Sequence, residues 1–199
     1  HYLSKLGGSQ IFYSFKKAVI GVPSNLTEVE RKSVEDAVVG AGVSRAYIIE
    51  EPIAAALGAR LPIDEPTANL IIDIGGGTTE VAIISMGGTV IAKSLKIAGD
   101  RFNEDIIRFV REEFKLAIGE PTAEELKVNI GSAIPLNEKL EMTVRGRDLA
   151  TGLPKEAIIK DNHVLVAIIK SLKSIVEAVK EVIEVAPPEL TCDILKRGI

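Results

Sequence analysis

Residues 71–84 read IIDIGGGTTEVAII: an acid inside an apolar run, three consecutive glycines, two threonines, then a second apolar run. A hairpin needs one or two glycines, so Gly75, Gly76 and Gly77 in series imply either an unusually tight bend or the close approach of a ligand. Without Cβ atoms, successive backbone N–H groups can converge on anionic oxygens, and Thr78 and Thr79 add hydroxyl donors. Asp73 supplies the complementary group. A carboxylate two residues ahead of such a loop repels a bare phosphate, but it can hold hydrated Mg2+, which prefers one or two carboxylates together with waters and phosphate oxygens. The chemistry implied is the grip of a magnesium-bearing phosphate; the plain alternative is a glycine-rich turn.

Glu51, in the EEP of residues 50–52, falls where a strand gives way to a helix opened by Pro52, so its carboxylate stands at the positive end of that helix. There it is either a capping acid or a base that orients water for attack on a terminal phosphoryl group, with Thr78 able to hold the same water. Glu124 and Lys127 lie three apart on a predicted helix and project from one face, which by itself describes a solvated ion pair. His1 and His163 are each isolated in the sequence and are assigned no role.

The elements that must position these groups follow from periodicity and punctuation. Residues 17–23, KAVIGVP, read as a buried strand, and Thr27 with Glu30 forms a capping box for a helix to about Gly40, with Val29, Val34, Ala37 and Val38 on its apolar side. Residues 46–52 give a second strand and Pro52 opens a second helix; residues 62–69, with two prolines, are a connection. Three strands follow as a meander, the glycine loop joining the first two and Gly87-Gly88 turning into the third. Asp100 is placed to cap a helix reaching about Leu116, with Phe102, Ile106, Phe109, Val110 and Phe114 on one side, and Thr122 with Glu125 predicts a capping box for a short helix over 123–133. Hairpins around Gly146 and Gly152 precede a long amphipathic helix from Asp161, carrying Val164, Ile168, Leu172, Ile175, Val176, Val179 and Ile183, that ends before Pro187-Pro188; a last short element is helical. The plan is mixed α/β.

With 199 residues and 46% apolar content the chain can bury a proper core as one large domain or two small ones. A net charge of −4 excludes the basic footprint of a nucleic-acid binder. One cysteine, Cys192, rules out an internal disulfide and a cysteine metal cluster, suits a reducing cytoplasmic setting, and reads as a small core residue. No apolar run approaches the ~18–20 residues of a membrane-spanning helix. Both ends look cut, so a piece of a longer chain is expected.

In this order, AYIIEEPIAAALGA, NLIIDIGGGTTEVAIISMGG, IAGDRFNEDIIRFV, IGEPTAEELKVNIGSA, VRGRDLATGLP, SIVEAVKEVIE and APPELTCDILKRGI resemble the MreB family, the bacterial actin homologues, over essentially the whole chain. DIGGGTTE alone would fit the wider actin-like ATPase superfamily; GRDLATGLP and PPEL followed by KRGI are narrower. The resemblance implies an actin-like (ribonuclease H-like) fold of mixed sheets flanked by helices, present in part as the second lobe plus some of the first. Residues 1–61 would belong to subdomain IA with the end of IB, 62–102 and 163–199 to IIA, and 103–162 to IIB.

The resemblance further implies ATP with Mg2+, hydrolysis, and polymerisation into protofilaments at the inner face of the cytoplasmic membrane, where cell-wall elongation proteins are organised and rod shape is set. It places Asp73 and residues 75–78 in the second phosphate loop with Asp73 on the metal through water, Glu51 and Thr78 about the attacking water, and Glu124 with Lys127 at the nucleoside end. The first phosphate loop would lie upstream of His1 and the adenosine-side glycine motif just beyond the final RGI, so these residues alone are expected to bind ATP weakly or not at all. Ile11, Phe12, Tyr13 and Phe15, beside Lys16 and Lys17, stand where the family has a membrane-inserting loop; alternation also allows them to begin a core strand. A few inserted side chains bind marginally, so avidity along a filament would be needed. The rival readings are a chaperone-like or small-molecule kinase-like member of the superfamily, and a paralogue that polymerises without turnover.

Overall fold

A computed structural model describes residues 16–199, in the order β1 (Ala18–Val22), α1 (Glu28–Gly40), β2 (Ala46–Glu50), α2 (Glu51–Gly58), β3 (Asn69–Ile74), β4 (Thr79–Ser85), β5 (Gly88–Leu95), α3 (Gly99–Phe114), β6 (Leu116–Ala117), α4 (Glu120–Ile130), β7 (Glu141–Asp148), β8 (Pro154–Lys160), α5 (Asp161–Glu184) and α6 (Pro188–Arg197). The chain divides into two units. One holds the described residues up to Asp73 with Glu80–Ser94 and Val182–Ile199; the other holds Ile74–Thr79 and Leu95–Glu181.

In the first unit β1 and β2 pair in parallel, Ala18 opposite Ala46, with α1 as the crossover that parallel strands require. The capping box forms as read: the Thr27 amide donates to Glu30 Oε2 at 2.9 Å, and Thr27 Oγ1 accepts from the Glu30 amide at 3.3 Å. The apolar stripe assigned to α1 is not core, however, since no residue of this helix is buried and Val29 is 75% exposed. The helical spacing is right, but the face is covered only in part, Val34 and Val38 being partly buried while Val29 and Ala37 are exposed. Helix α2 starts at Glu51 with Pro52 in its first turn, where a missing N–H is harmless.

Strands β3, β4 and β5 form a three-stranded sheet in that order, the expected meander. The first six residues of β4 are all buried. The β4–β5 turn is Met86-Gly87 rather than Gly87-Gly88; both residues have positive φ (52° and 74°), the type I′ geometry that matches strand twist. Helix α6 is fastened to the start of this sheet. Asp193 Oδ2 accepts from the Ala68 amide at 3.1 Å, and Arg197 reaches Glu65 at 2.9 Å and Asn69 Oδ1 at 3.3 Å. Cys192 on α6 is exposed, which overturns its reading as a core residue: Ile194 takes the buried position on that helix.

The second unit packs α3, α4 and the start of α5 on the sheet β6-β7-β8. Ile106 and Val110 of α3, Leu126 and Ile130 of α4, Val144 and Ile159 of the hairpin and Val164 and Ile168 of α5 form one core, with Phe102, Phe109 and Phe114 against it. The α3 and α5 stripes are therefore as read, except that Val176 is 51% exposed. Two helix starts differ. Helix α3 begins at Gly99 with no side-chain cap, and Asp100 sits inside its first turn. Helix α4 begins at Glu120, because Pro121 is preorganised for a first turn; Thr122 then lies within the helix and its capping box does not form.

Gly146 does not make a turn, against the sequence expectation: it lies inside β7, opposite Lys155, while Gly152 with φ +75° makes the turn. The need at Gly146 is space: a Cβ there would stand 2.4 Å from the Ala117 carbonyl oxygen and 3.0 Å from Leu116 Cγ. Gly146→Ala is accordingly expected to force β6 and β7 apart and to lower unfolding stability by about 1–3 kcal/mol in denaturant titrations; an unchanged midpoint would show that the strands do not need this contact.

Candidate functional site

The glycine loop, residues 75–78, belongs to the second unit and is tied by hydrogen bonds to the start of α3. The Gly75 carbonyl accepts from the Gly99 amide at 3.1 Å and the Gly76 carbonyl from the Asp100 amide at 2.8 Å, tying the loop to the first turn of α3. The Gly75 amide closes the bend on the Thr78 carbonyl at 2.9 Å, and Thr79 Oγ1 donates to the Ile97 carbonyl at 2.6 Å. Within the unit no loop or turn carbonyl accepts from the amides of Gly76, Gly77 or Thr78. The three glycines are exposed. A loop whose carbonyls are used and whose successive amides have no backbone acceptor in the unit has the donors that an anion-binding nest requires.

Of the two explanations for three glycines, the backbone removes the first. None of Gly75, Gly76 and Gly77 has positive φ. A Cβ on Gly75 or Gly76 would meet its nearest neighbour at 3.4 Å, and one on Gly77 would meet nothing within 4 Å. Neither the bend nor the protein's own packing demands glycine at 77, so what remains is room for something outside the chain.

Glu124 and Lys127 are joined to this loop through Gly99. Lys127 Nζ donates to Glu124 Oε2 at 2.7 Å and to the Gly99 carbonyl at 3.2 Å, and the Gly99 amide in turn holds Gly75. Glu124 also accepts from Asn103 Nδ2 at 2.7 Å, and these two donors, Lys127 first, hold its carboxyl below the ordinary glutamate value. Asn103 is 3% exposed and its Oδ1 has no partner, an acceptor left open beside the ion pair. The sequence reading missed Asn103, although it lies on the apolar side of α3, seven residues before Val110 and so nearly in line with it.

In the first unit Glu51 does not cap α2; the N-cap is Glu50, which makes no cap hydrogen bond. Glu50 is instead held by Thr89 Oγ1 at 2.7 Å and by Arg31 at 3.5 Å. Of the two acids in EEP, the first is therefore held by structural partners. Glu51 lies back over β1, where a Cβ on Gly21 would come within 3.3 Å of its Cγ. Partial burial pushes the Glu51 carboxyl above its ordinary value, and the negative charges of Glu80 and Asp73 push the same way. Asp73 thus stands near enough to Glu51 to act on it. Glu80, which the sequence reading passed over, is 2% exposed and neither carboxylate oxygen has a hydrogen-bond partner.

Ile11, Phe12, Tyr13 and Phe15 lie outside the described residues. His163 serves the local structure: its Nδ1 accepts from the Lys160 amide at 3.2 Å and its ring lies against Phe109 and Phe114. No helix among the described residues is long and apolar enough to cross a membrane.

The family described as MreB/Mbl protein matches residues 1–199. Among curated proteins, the cell shape-determining protein MreB of Escherichia coli (strain K12) is 44% identical over the whole chain, which spans 57% of that protein. The cell shape-determining protein Mbl of Bacillus subtilis (strain 168) is 41% identical, and the chain spans 60% of it. Among solved structures, MreB5 of Spiroplasma citri bound to AMPPNP superposes with a TM-score of 0.87 at 41% identity, over 91% of this chain and 54% of that one. A MamK double helical filament superposes with a TM-score of 0.73 at 21% identity, over 96% of this chain and 56% of that one, and so speaks to the fold alone. The fold is actin-like, as expected, and the chain spans little more than half the length of the relatives it matches.

The raised Glu51 carboxyl has a measurable sign. An acid whose folded value exceeds its unfolded value weakens the fold while ionised in both states, and that penalty fades as pH falls through the folded value toward the unfolded one. At neutral pH Glu51→Gln is expected to melt higher than wild type, with the difference shrinking on acidification; a difference that grows on acidification would contradict the assigned environment.

Proposed function

We propose, from the premise that this chain belongs to the MreB/Mbl family, that the protein carrying it is a nucleotide-dependent cytoskeletal ATPase. It binds ATP with Mg2+, hydrolyses it, and assembles with copies of itself into filaments at the inner face of the cytoplasmic membrane. There the filaments organise cell-wall elongation proteins and determine rod shape. The observation that carries the reading is the run of amides without backbone acceptors over residues 76–78, at a glycine, Gly77, where a Cβ would meet nothing. It is supported by the names of the curated relatives and by the AMPPNP and ADP bound to the MreB5 structures.

The acids fit a hydrated magnesium ion. Among the described residues no three potential ligands gather into a direct cage, whereas the partly exposed carboxylate of Asp73 offers a negative acceptor for metal-bound water. When bound, the ion neutralises charge developing on the transferred phosphoryl group. Asp73 is assigned to hold it through water, and the amides and hydroxyl of residues 75–78 to bind the phosphate oxygens. Glu51 and Thr78 are assigned to the attacking water, Glu51 as the carboxylate that orients it. Glu124 and Lys127 are assigned to the nucleoside end, where their mutual bond and the Asn103 amide fix both side chains before a ligand arrives. Catalysis on this reading is positional and electrostatic.

Residues 1–61 are assigned to subdomain IA with the end of IB, 62–102 and 163–199 to IIA, and 103–162 to IIB. Ile11, Phe12, Tyr13 and Phe15 are assigned to a membrane-inserting loop, in keeping with a peripheral, cytoplasmic location.

Two substitutions in the full-length protein test the reading. Gly77→Ala should leave the melting temperature without nucleotide unchanged, because its Cβ meets nothing, while weakening ATP binding on the order of tenfold by standing where the phosphate oxygens approach. Calorimetry giving wild-type affinity would remove the nest from the phosphate site. Glu51→Ala should slow phosphate release at least about tenfold and spare nucleotide binding; normal turnover would take the water-orienting role away from Glu51.

A further inference from the structure

Among the described residues no donor holds the Glu51 carboxylate. Its stem lies against β1 at Gly21, and the nearest charges acting on it, Glu80 and Asp73, are negative and repel it. A group that orients water must nonetheless be held to within a fraction of an ångström. With no side-chain anchor of its own, Glu51 takes its position from the backbone at the corner between β2 and α2.

That corner is fastened through the neighbouring acid. Glu50 ends β2 and is the N-cap of α2, yet its side chain makes no cap hydrogen bond, although capping the first-turn amides is what a polar side chain at that position ordinarily does. Its carboxylate goes to two other elements instead. Oε2 accepts from Thr89 Oγ1 on β5 at 2.7 Å, and Oε1 lies 3.5 Å from Arg31 on α1. The Thr89 bond is short and charge-assisted, whereas the Arg31 pair is longer and partly open to solvent at both ends, and so the weaker tie. β2 pairs with β1, while β5 belongs to the sheet β3-β4-β5 that carries Asp73. The hydroxyl of Thr89 therefore joins the start of α2 to the sheet of the metal-bearing acid.

We propose that Thr89 is a positioning residue for hydrolysis: by gripping Glu50 from β5 it sets where Glu51 stands relative to Asp73, and so where the attacking water stands relative to the metal. This rests on the nucleotide reading above and on the role assigned there to Glu51. It accounts for a first acid of EEP that neither caps the helix nor stays free. It also explains how Glu51 resists the repulsion of Asp73 and Glu80 without a donor of its own. A donor placed directly on Glu51 would occupy the oxygens that must accept from water and would make it a poorer base.

The test uses the full-length protein and four forms besides wild type: Thr89→Val, which keeps the branched shape and removes the hydroxyl, Thr89→Ser, which keeps the hydroxyl, Glu51→Ala, and Glu51→Ala combined with Thr89→Val. Measured are the melting temperature without nucleotide, the AMPPNP affinity with Mg2+, and the single-turnover rate of phosphate release from ATP. Thr89→Val should melt within a few degrees of wild type, since valine suits a half-buried strand position. Its AMPPNP affinity should stay within about twofold while its rate falls roughly three- to tenfold, the signature of a misplaced reacting group rather than a lost ligand contact. Thr89→Ser should return the rate to within about twofold of wild type. In the Glu51→Ala background Thr89→Val should slow the reaction no further, because the group it positions has gone. A merely structural role would not vanish with Glu51. An unchanged rate in Thr89→Val, a Thr89→Ser protein as slow as Thr89→Val, an equal loss of AMPPNP affinity, or the same slowing in the Glu51→Ala background overturns the assignment, and so does a Thr89→Val protein that fails to fold. Normal turnover in Glu51→Ala alone, or wild type that releases no phosphate, would instead overturn the reading of Glu51 and the nucleotide site, and the role of Thr89 with it.

Discussion

The peptide groups of Gly75 and Gly76 are each used at one end only. Their carbonyls are fastened by the first two amides of α3, and this fixes the plane of each peptide so that the following N–H points away from α3. Every other feature of the second unit's site hangs on that pair of hydrogen bonds. A Cβ on Gly99 would lie 3.3 Å from both the Gly75 carbonyl oxygen and Lys127 Nζ and so would press on both. Lys127 in turn needs the Gly99 carbonyl and Glu124 to hold its position. The loop, the helix start and the ion pair on α4 are one connected arrangement, built on the core of Ile106, Val110, Leu126 and their neighbours beneath it.

Much of this is legible in the sequence because the signals are local. The capping box at Thr27, the proline at the start of α2, the meander and the long α5 each follow from residues within a few positions of one another. The three glycines announce either a bend or a ligand, and only coordinates separate the two, since φ values and the space around each Cα are not written in residue types. What fails depends on contacts distant in sequence. Whether α1's apolar stripe is covered, whether Cys192 or Ile194 turns inward, and whether Gly146 serves a turn or a close strand approach are all decided by neighbours tens of residues away. The mistaken start of α4 has another cause, competition between adjacent start signals, in which Pro121 prevails over Thr122.

Two residues that sequence reasoning passes over, Glu80 and Asn103, are both buried and carry side-chain oxygens without a hydrogen-bond partner. Each does leave a trace, a polar residue in a run otherwise fit for burial, but such traces have a commoner reading as partnered core polars. The acids of the first unit follow the same pattern as the loop: Glu50 is consumed by Thr89 and Arg31, while Glu51 and Glu80 are left without such ties and in mutual repulsion. Interactions left unmade are where this protein departs from the most stable arrangement available to it.

The most direct measurement of the central claim is the amide nitrogen and proton chemical shifts of Gly76, Gly77 and Thr78 in the full-length protein, followed as AMPPNP and Mg2+ are added. These three amides should shift together, downfield in the proton dimension as they take up phosphate oxygens, with the Gly99 and Asp100 amides that anchor the loop changing far less. Saturable nucleotide binding that leaves Gly76, Gly77 and Thr78 where they were would contradict it.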